Sequence, residues 1–339
     1  MYKKIDHRVA YEHCEKRVGI KRRSIRVWLK YAAMLLLPLG AIFVMLRNNE
    51  RKQPVEVATV DILPGETKAT LILADGKSVV LQHDTTRDIA VGEGVNAKNS
   101  GSGIVYSANG NEKRNLQYNV LQTPRGGEYQ ITLADGSMVQ LNSATQLKFP
   151  VVFDKEKREV YLTGEAFFEV QKDPEHGLEI TAPHETKIEV LGTSFNVEAF
   201  EKDPFVATTL INGKVRFGYM KNGRMTAIEM KPGQKLTYDS SSSRAQLAET
   251  NGESEIAWKD GKIVFHATPL PEALRMLEKR FNVTFVLSND RLRGEAFTGS
   301  FSHQRLERIL EIFKISSNIK WRYLDTHNIE NEKAKVEIY

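Results

Sequence analysis

The sequence predicts a single membrane-spanning helix, then an all-β region built as a roll or solenoid, and last a small α+β domain of order β-α-β-β-α-β. Three observations carry this reading. One apolar run near the N-terminus is long enough to cross a bilayer; from about Val55 to Asp239 short alternating runs are punctuated by turn dipeptides; and two helical faces appear among strands near the C-terminus. With 339 residues, 41% of them hydrophobic, the chain is long enough to bury cores for two modest domains.

The run "WLKYAAMLLLPLGAIFVML", residues 28–46, is apolar apart from Lys30. As a helix it would reach roughly 28 Å, enough to span the hydrocarbon layer. Lys30 at its edge can extend its ammonium to the headgroups, Trp28 and Tyr31 suit an interfacial belt, and Pro38 is tolerable in a membrane helix. A cleaved signal peptide would have a shorter apolar stretch and a small-x-small site, whereas "VMLRNNERK" follows here, so the segment reads as a retained anchor.

A formal charge of +5 and a pI near 9.0 would suit a nucleic-acid binder, yet the basic residues are concentrated near the N-terminus and not spread over one folded surface. Lys16, Arg17, Lys21, Arg22, Arg23 and Arg26 precede the span, and only Arg47, Arg51 and Lys52 follow closely. The positive-inside rule then places the N-terminus in the cytoplasm and nearly everything after the span outside it. The lone cysteine, Cys14, falls on the cytoplasmic side, which leaves the exported part without a thiol that could mispair.

In the β region two stretches are nearly the same. "TLILADGKSVVL" begins at Thr70 and "ITLADGSMVQL" at Ile131, each reading as two strands around an Asp-Gly turn. Further turns fall at Asn212-Gly213 and Asn222-Gly223, and a sandwich, a roll or an irregular solenoid fits the pattern. Residues 91–115, rich in Gly, Asn and Ser, read as a long exposed loop around a short strand, and "SSSSRAQLAETNGESE" as a linker. In the last part Leu270, Leu274, Leu277 and Phe281 share one helical face, and Leu306, Ile309, Leu310 and Phe313 another. Thr268 and Ser302 are the expected caps, with Pro269 in a first turn.

Catalytic chemistry is hard to find. The eight histidines are scattered, "APHETKIEV" lacks the second histidine of a helical zinc site, and His184 reads as a loop or surface residue. Neither a nucleophile elbow nor a phosphate loop occurs. Asp75 and Asp135 could be imagined as a carboxylate pair, but each precedes Gly in a hairpin, which explains it. Arg125-Gly126-Gly127 could form an anion-binding nest, though a turn into the next strand is the simpler role. The bond Gly192-Thr193 is a candidate for self-cleavage, because a threonine hydroxyl can attack the preceding carbonyl and glycine admits a strained backbone; a Gly bend or bulge is the plainer alternative. No catalytic residue, cofactor, metal or small-molecule substrate is expected.

The ordered motifs "TPRGGEYQITLADGSMVQLNSATQLKFPVVF", "REVYLTGEAFFEVQKD", "IEVLGTSFNVEAF", "TTLINGKVRF" and "MKPGQKLTY" resemble those of FecR-type anti-sigma factors in their Bacteroidetes form. The stretch from "FHATPLPEALRMLEKRFNVTFVL" to "LERILEIF" is similar to the domain that follows in that family, related to secretin and TonB short N-terminal modules. The resemblance implies a division into a short basic cytoplasmic segment at 1–27, the transmembrane helix at 28–46, a periplasmic lead-in with the first hairpin and loop at 47–118, the FecR-type β domain at 119–240, a linker at 241–257, an α+β partner-binding domain at 258–326, and a C-terminal strand or tail at 327–339.

It further implies a circuit. The signalling domain of an outer-membrane TonB-dependent transporter contacts the periplasmic part, a cytoplasmic ECF sigma factor is the output, and the protein sits in the inner membrane without binding nucleic acid directly. Some relatives cleave themselves at a Gly-Thr bond, which adds weight to Gly192-Thr193. Members carry a helical anti-sigma domain of many tens of residues before the span, whereas residues 1–27 offer one basic helix resembling its juxtamembrane end. An anchored scaffold or glycan-binding module without sigma output is the alternative. For the contact surface, the strand edge and the faces near Phe297 and Phe301 are the candidates, since small sheets meet partners by strand addition.

Overall fold

The computed structural model describes residues 66–82, 86–92, 95–100, 103–108, 116–154, 156–302, 304–324 and 334–339. The expected span at 28–46 and the segment before it lie outside these residues; among those described, no helix is long and apolar enough to cross a membrane. The chain is mostly β, with a small C-terminal α+β part.

The alternating runs pair into two sheets that share the strand Arg158–Glu169 and are also joined where residues 66–67 of the first pair with 127–128 of the second. In the first, Ser78–Gln82, Glu66–Ile72, Tyr118–Gln122 and Gln146–Pro150 lead to residues 158–163, then to Leu178–Ala182, Thr186–Val190, Val215–Lys221 and Arg224–Met230. In the second, Thr86–Gly92, Val95–Ser100, Gly103–Ala108, Gly127–Thr132 and Met138–Leu141 lead to residues 164–169, then to Ser194–Ala199, Phe205–Asn212, Gln234–Asp239 and Arg244–Glu249. Most pairs are antiparallel, but residues 158–161 run parallel to 178–181, 103–105 to 130–132, and 66–67 to 127–128. This is a roll-like two-layer build.

The strand Arg158–Glu169 passes from one sheet to the other at Gly164, whose φ is +119°. A Cβ there would fall 2.6 Å from the Thr145 Cα, so the crossing requires glycine. Between the layers lies one core running from Ala69 to Tyr238. Tyr106 of the second sheet meets Phe149 of the first edge-on at 5.1 Å, and Tyr219 meets Tyr238 at 5.0 Å. The buried Asn119 is fully engaged: its amide donates to the Val91 carbonyl and the Tyr106 hydroxyl, and its oxygen accepts from the Ala74 amide.

The two Asp-Gly turns are the same turn. Leu73 and Leu133 each accept from the glycine three residues on, at 2.9 Å, and each amide donates to the residue after that glycine, at 2.8 Å. Gly76 and Gly136 have φ of +84° and +85°, and each Asp carboxylate accepts from the amide two residues on. Their surroundings differ. Asp75 pairs with the exposed Lys77, whereas Asp135 reaches the buried Arg158 at 2.8 Å.

Three expectations are corrected. The polar stretch at 91–115 holds two strands, Val95–Ser100 and Gly103–Ala108, because Val95, Ala97, Asn99, Ile104 and Tyr106 point into the core. The stretch read as a linker holds the edge strand Arg244–Glu249, paired with Gln234–Asp239, and a one-turn helix Gly252–Glu255 capped by Asn251. Neither Thr268 nor Ser302 caps a helix: Pro269 and Arg305 occupy those positions without side-chain bonds, and Pro271 takes the first turn.

The C-terminal part adds helices α1 (Leu270–Phe281) and α2 (Leu306–Ser317), each ending at an asparagine with positive φ, Asn282 and Asn318. Their expected apolar faces are buried. The strands form two small sheets in place of one: Lys262–Pro269 with Ala296–Ser302, and Val283–Leu287 parallel to Ala334–Ile338, which also pairs with Trp321–Tyr323. Residues 334–338 of the tail are therefore a strand. This part has its own core, and no buried residue belongs to both cores.

Candidate functional site

Where α1 meets the β domain, the contact is made by charge. The helix places Arg275, Lys279 and Arg280 off its apolar face, and each finds a carboxylate of the β domain. Lys279 Nζ lies 2.7 Å from Glu198 Oε1 and 3.9 Å from the centroid of the Phe200 ring. Arg275 pairs with Asp203 at 3.2 Å and stands 3.7 Å from Glu198, while Arg280 pairs with Glu128 at 2.7 Å.

The end of the helix adds backbone bonds. The Lys279 carbonyl accepts from the Ser143 hydroxyl at 2.6 Å and from the Gly126 amide at 3.2 Å. Thus the Arg125-Gly126-Gly127 turn does present an amide to a negative group, and that group is the C-terminal end of α1. The segment before the helix is held as well: Gln140 donates to the Lys259 carbonyl, the Trp258 indole donates to Asn196, and Lys235 pairs with Glu255.

Beside these contacts lies a cleft of about 550 Å³, bordered by Asn142, Glu165, Glu198, Lys235, Trp258 and Arg275 among others. Glu165 is buried, and its two oxygens accept from Asn196 at 3.0 Å and Asn142 at 2.9 Å. Burial pushes its carboxyl up, and the charge of Glu198 adds to this against the pull of Lys279. Burial acts on Glu198 in the same sense, but Lys279 and Arg275 outweigh it and hold that carboxyl at about 2. Glu128 is pushed up by burial in spite of Arg280. Two carboxyls with opposite shifts could serve acid-base chemistry, yet both oxygens of Glu165 accept from asparagine amides and Glu198 Oε1 is held by Lys279 and Arg275. What the arrangement does is hold the C-terminal part on the β domain.

The residues singled out in the sequence lie elsewhere. Gly192 has φ of +155° and packs so closely that a Cβ would fall 2.8 Å from the Lys172 Cα. Thr193 is buried, and its hydroxyl donates to the Lys214 carbonyl at 2.9 Å. Phe297 is in the C-terminal core, stacked on Phe313 at 3.9 Å, so its ring is not a contact surface; Phe301 is half-buried against Phe265. His184 is half-buried, with Nε2 2.7 Å from the Asp203 carbonyl oxygen. Among the described residues, no group of His, Cys, Asp or Glu is placed to hold a metal. The ionic junction escaped the sequence reading. The signal available was the set of three cations off the apolar face of α1.

The arrangement of a β domain followed by a small α+β module coincides with two family models. The model of the FecR protein matches residues 119–216, and that of the FecR C-terminal region matches residues 262–330. The chain belongs to the FecR-type anti-sigma factor family. The FecR-type fold is also seen in two crystal structures, at 1.65 and 2.50 Å, of a candidate anti-sigma factor from Parabacteroides distasonis ATCC 8503. Each is 25% identical with a TM-score of 0.57, and the match covers 65% and 66% of this chain and 98% of theirs. No curated protein matches in sequence. The two FecR models fall on either side of the ionic junction, which joins the one to the other.

Proposed function

We propose that this FecR-type protein is an inner-membrane signal transducer. It relays a signal from an outer-membrane TonB-dependent transporter to a cytoplasmic ECF sigma factor, with the N-terminus in the cytoplasm and both folded modules in the periplasm. The observation that carries the reading is the presence of both family modules in order, behind a sequence with an apolar span and basic residues before it. The likeness to a candidate anti-sigma factor supports it further. Residues 258–326 are the receiving module. Its contact surface is formed by strand edges and the neighbourhood of Phe301, with Phe297 supporting it from the core.

In this reading Gly192-Thr193 is a processing site, for which the positive φ at Gly192 is the structural support. Intact-mass analysis of the purified chain tests it: a fragment beginning at Thr193, absent from Thr193→Ala, agrees, and an uncleaved chain removes the assignment. The test of the whole reading is transcription from the sigma-dependent transporter operon, with and without the inducing nutrient, in the wild type and in a deletion strain. Equal responses in both strains refute it, and would favour the anchored glycan-binding scaffold.

A further inference from the structure

We propose that the ionic junction is a latch from which the C-terminal module releases as a folded unit, pivoting at Gly261. The first support is that the two modules have separate cores, so parting them opens neither. The second is the chemistry of the contact. Arg275, Lys279 and Arg280 face Asp203, Glu198 and Glu128, and the other ties named above are the Lys279 ammonium over the Phe200 ring and the hydrogen bonds to the Lys279 carbonyl. A polar interface between modules of one chain, without a shared apolar core, favours relative motion.

The third support is where the chain is fastened. Residues up to 260 are bound to the β domain through Glu255, Trp258 and Lys259. Gly261 follows with φ of +69°, and its carbonyl accepts from Arg280 of the C-terminal module. The bonds on either side of Gly261 thus belong to different bodies, and a glycine can absorb the backbone rotation that separation requires. On release the connector stays with the β domain, α1 leaves with its module, and three cations and three carboxylates return to water. Closed and released forms are then two populations, and any group binding the freed charges shifts the balance between them.

Hydrogen exchange on the full-length chain in a mild nonionic detergent tests this. The reporter is the Gly126 amide, which is shared between the Lys279 carbonyl across the junction at 3.2 Å and Ser143 Oγ at 2.8 Å; that hydroxyl itself donates to the Lys279 carbonyl, so release removes one acceptor and frees the other to move. Arg280→Glu is expected to speed its exchange about tenfold or more, the scale expected when a partly buried charge pair loses a partner. Amides inside α1 at Leu277 and inside the β core at Phe195 are expected to keep their protection. The swap Glu128→Arg with Arg280→Glu is expected to restore slow exchange at Gly126. Should Arg280→Glu not fold, Arg280→Gln is expected to give a smaller acceleration with the same pattern. The proposal is overturned if exchange at Gly126 is unchanged in the variant that folds. It is equally overturned if Leu277 or Phe195 loses protection in step with Gly126, since that is unfolding and not release.

Discussion

The repeated Asp-Gly turn allows one side chain to be removed twice in the same local setting. Asp75→Ala and Asp135→Ala each delete a carboxylate that accepts the amide two residues on. Asp135→Ala also removes the partner of Arg158, whose side chain is 5% exposed, and the acceptor of the Ser137 hydroxyl. Stranding a buried charge costs about 3–5 kcal/mol. Arg158 keeps two carbonyl acceptors, on His176 and Gln171, which puts the expected loss near the lower end, about 3 kcal/mol. Asp75 is fully exposed, and its loss is expected to lie within measurement error. Urea unfolding followed by far-UV circular dichroism reads the difference: for m of about 2–3 kcal/mol/M, Asp135→Ala lowers the midpoint by about 1 M or more. Equal midpoints for the two variants would show that the buried pair contributes nothing beyond the turn, and the reasoning would fail.

Three other outcomes follow from the same structure. Phe313→Ala removes a ring stacked on Phe297 and packed near Phe265, and is expected to cost the C-terminal module about 3–5 kcal/mol. Trp321 fluorescence should report its unfolding while the β domain stays intact; a single joint transition would contradict the separate cores. Gly192→Ala brings a Cβ within 2.8 Å of the Lys172 backbone and is expected to cost about 1–3 kcal/mol in a thermal melt, so an unchanged Tm would sink the packing argument.

The junction is also expected to loosen in acid. Glu198 is depressed to about 2, so its contribution is present above its ordinary value of 4.5 and is lost as pH falls toward 2. Release takes Lys279 and Arg275 away from Glu198, so protonating this carboxylate and breaking the pairs act together. Exchange at Gly126, taken relative to its intrinsic rate, should therefore quicken as pH falls from 4.5 toward 2. A flat relative profile over that range in the unmodified chain would count against it.

Much of the fold was legible where side chains alternate or recur at helical spacing. The twin hairpins and both apolar helix faces are of this kind, since their buried positions, Ser137 of the second turn apart, are aliphatic or aromatic residues. The strands Val95–Ser100 and Gly103–Ala108 were hidden because part of their inward set is small or polar. Ala97 and Asn99 are fully buried, and Asn99 is accommodated by accepting the Tyr129 hydroxyl at 2.6 Å. The edge strand Arg244–Glu249 is exposed along nearly its whole length and carries no alternation to read. The junction was invisible for another reason. Arg275, Lys279 and Arg280 look like the solvated face of any helix, and their partners lie far away in sequence.

The strand that crosses at Gly164 has a bearing on how the β domain comes into being. Its first half needs Gln146–Pro150 and Leu178–Ala182, and its second needs Met138–Leu141 and Ser194–Ala199. A chain emerging from synthesis cannot finish one layer and add the other later, because the same twelve residues close both. Their partners span Met138 to Ala199, so loop-closure entropy is spent before most of the ladder is made. Assembly of the domain is accordingly expected to be slow and all-or-none, with the half-made strand, its edges bare, as the species most exposed to aggregation.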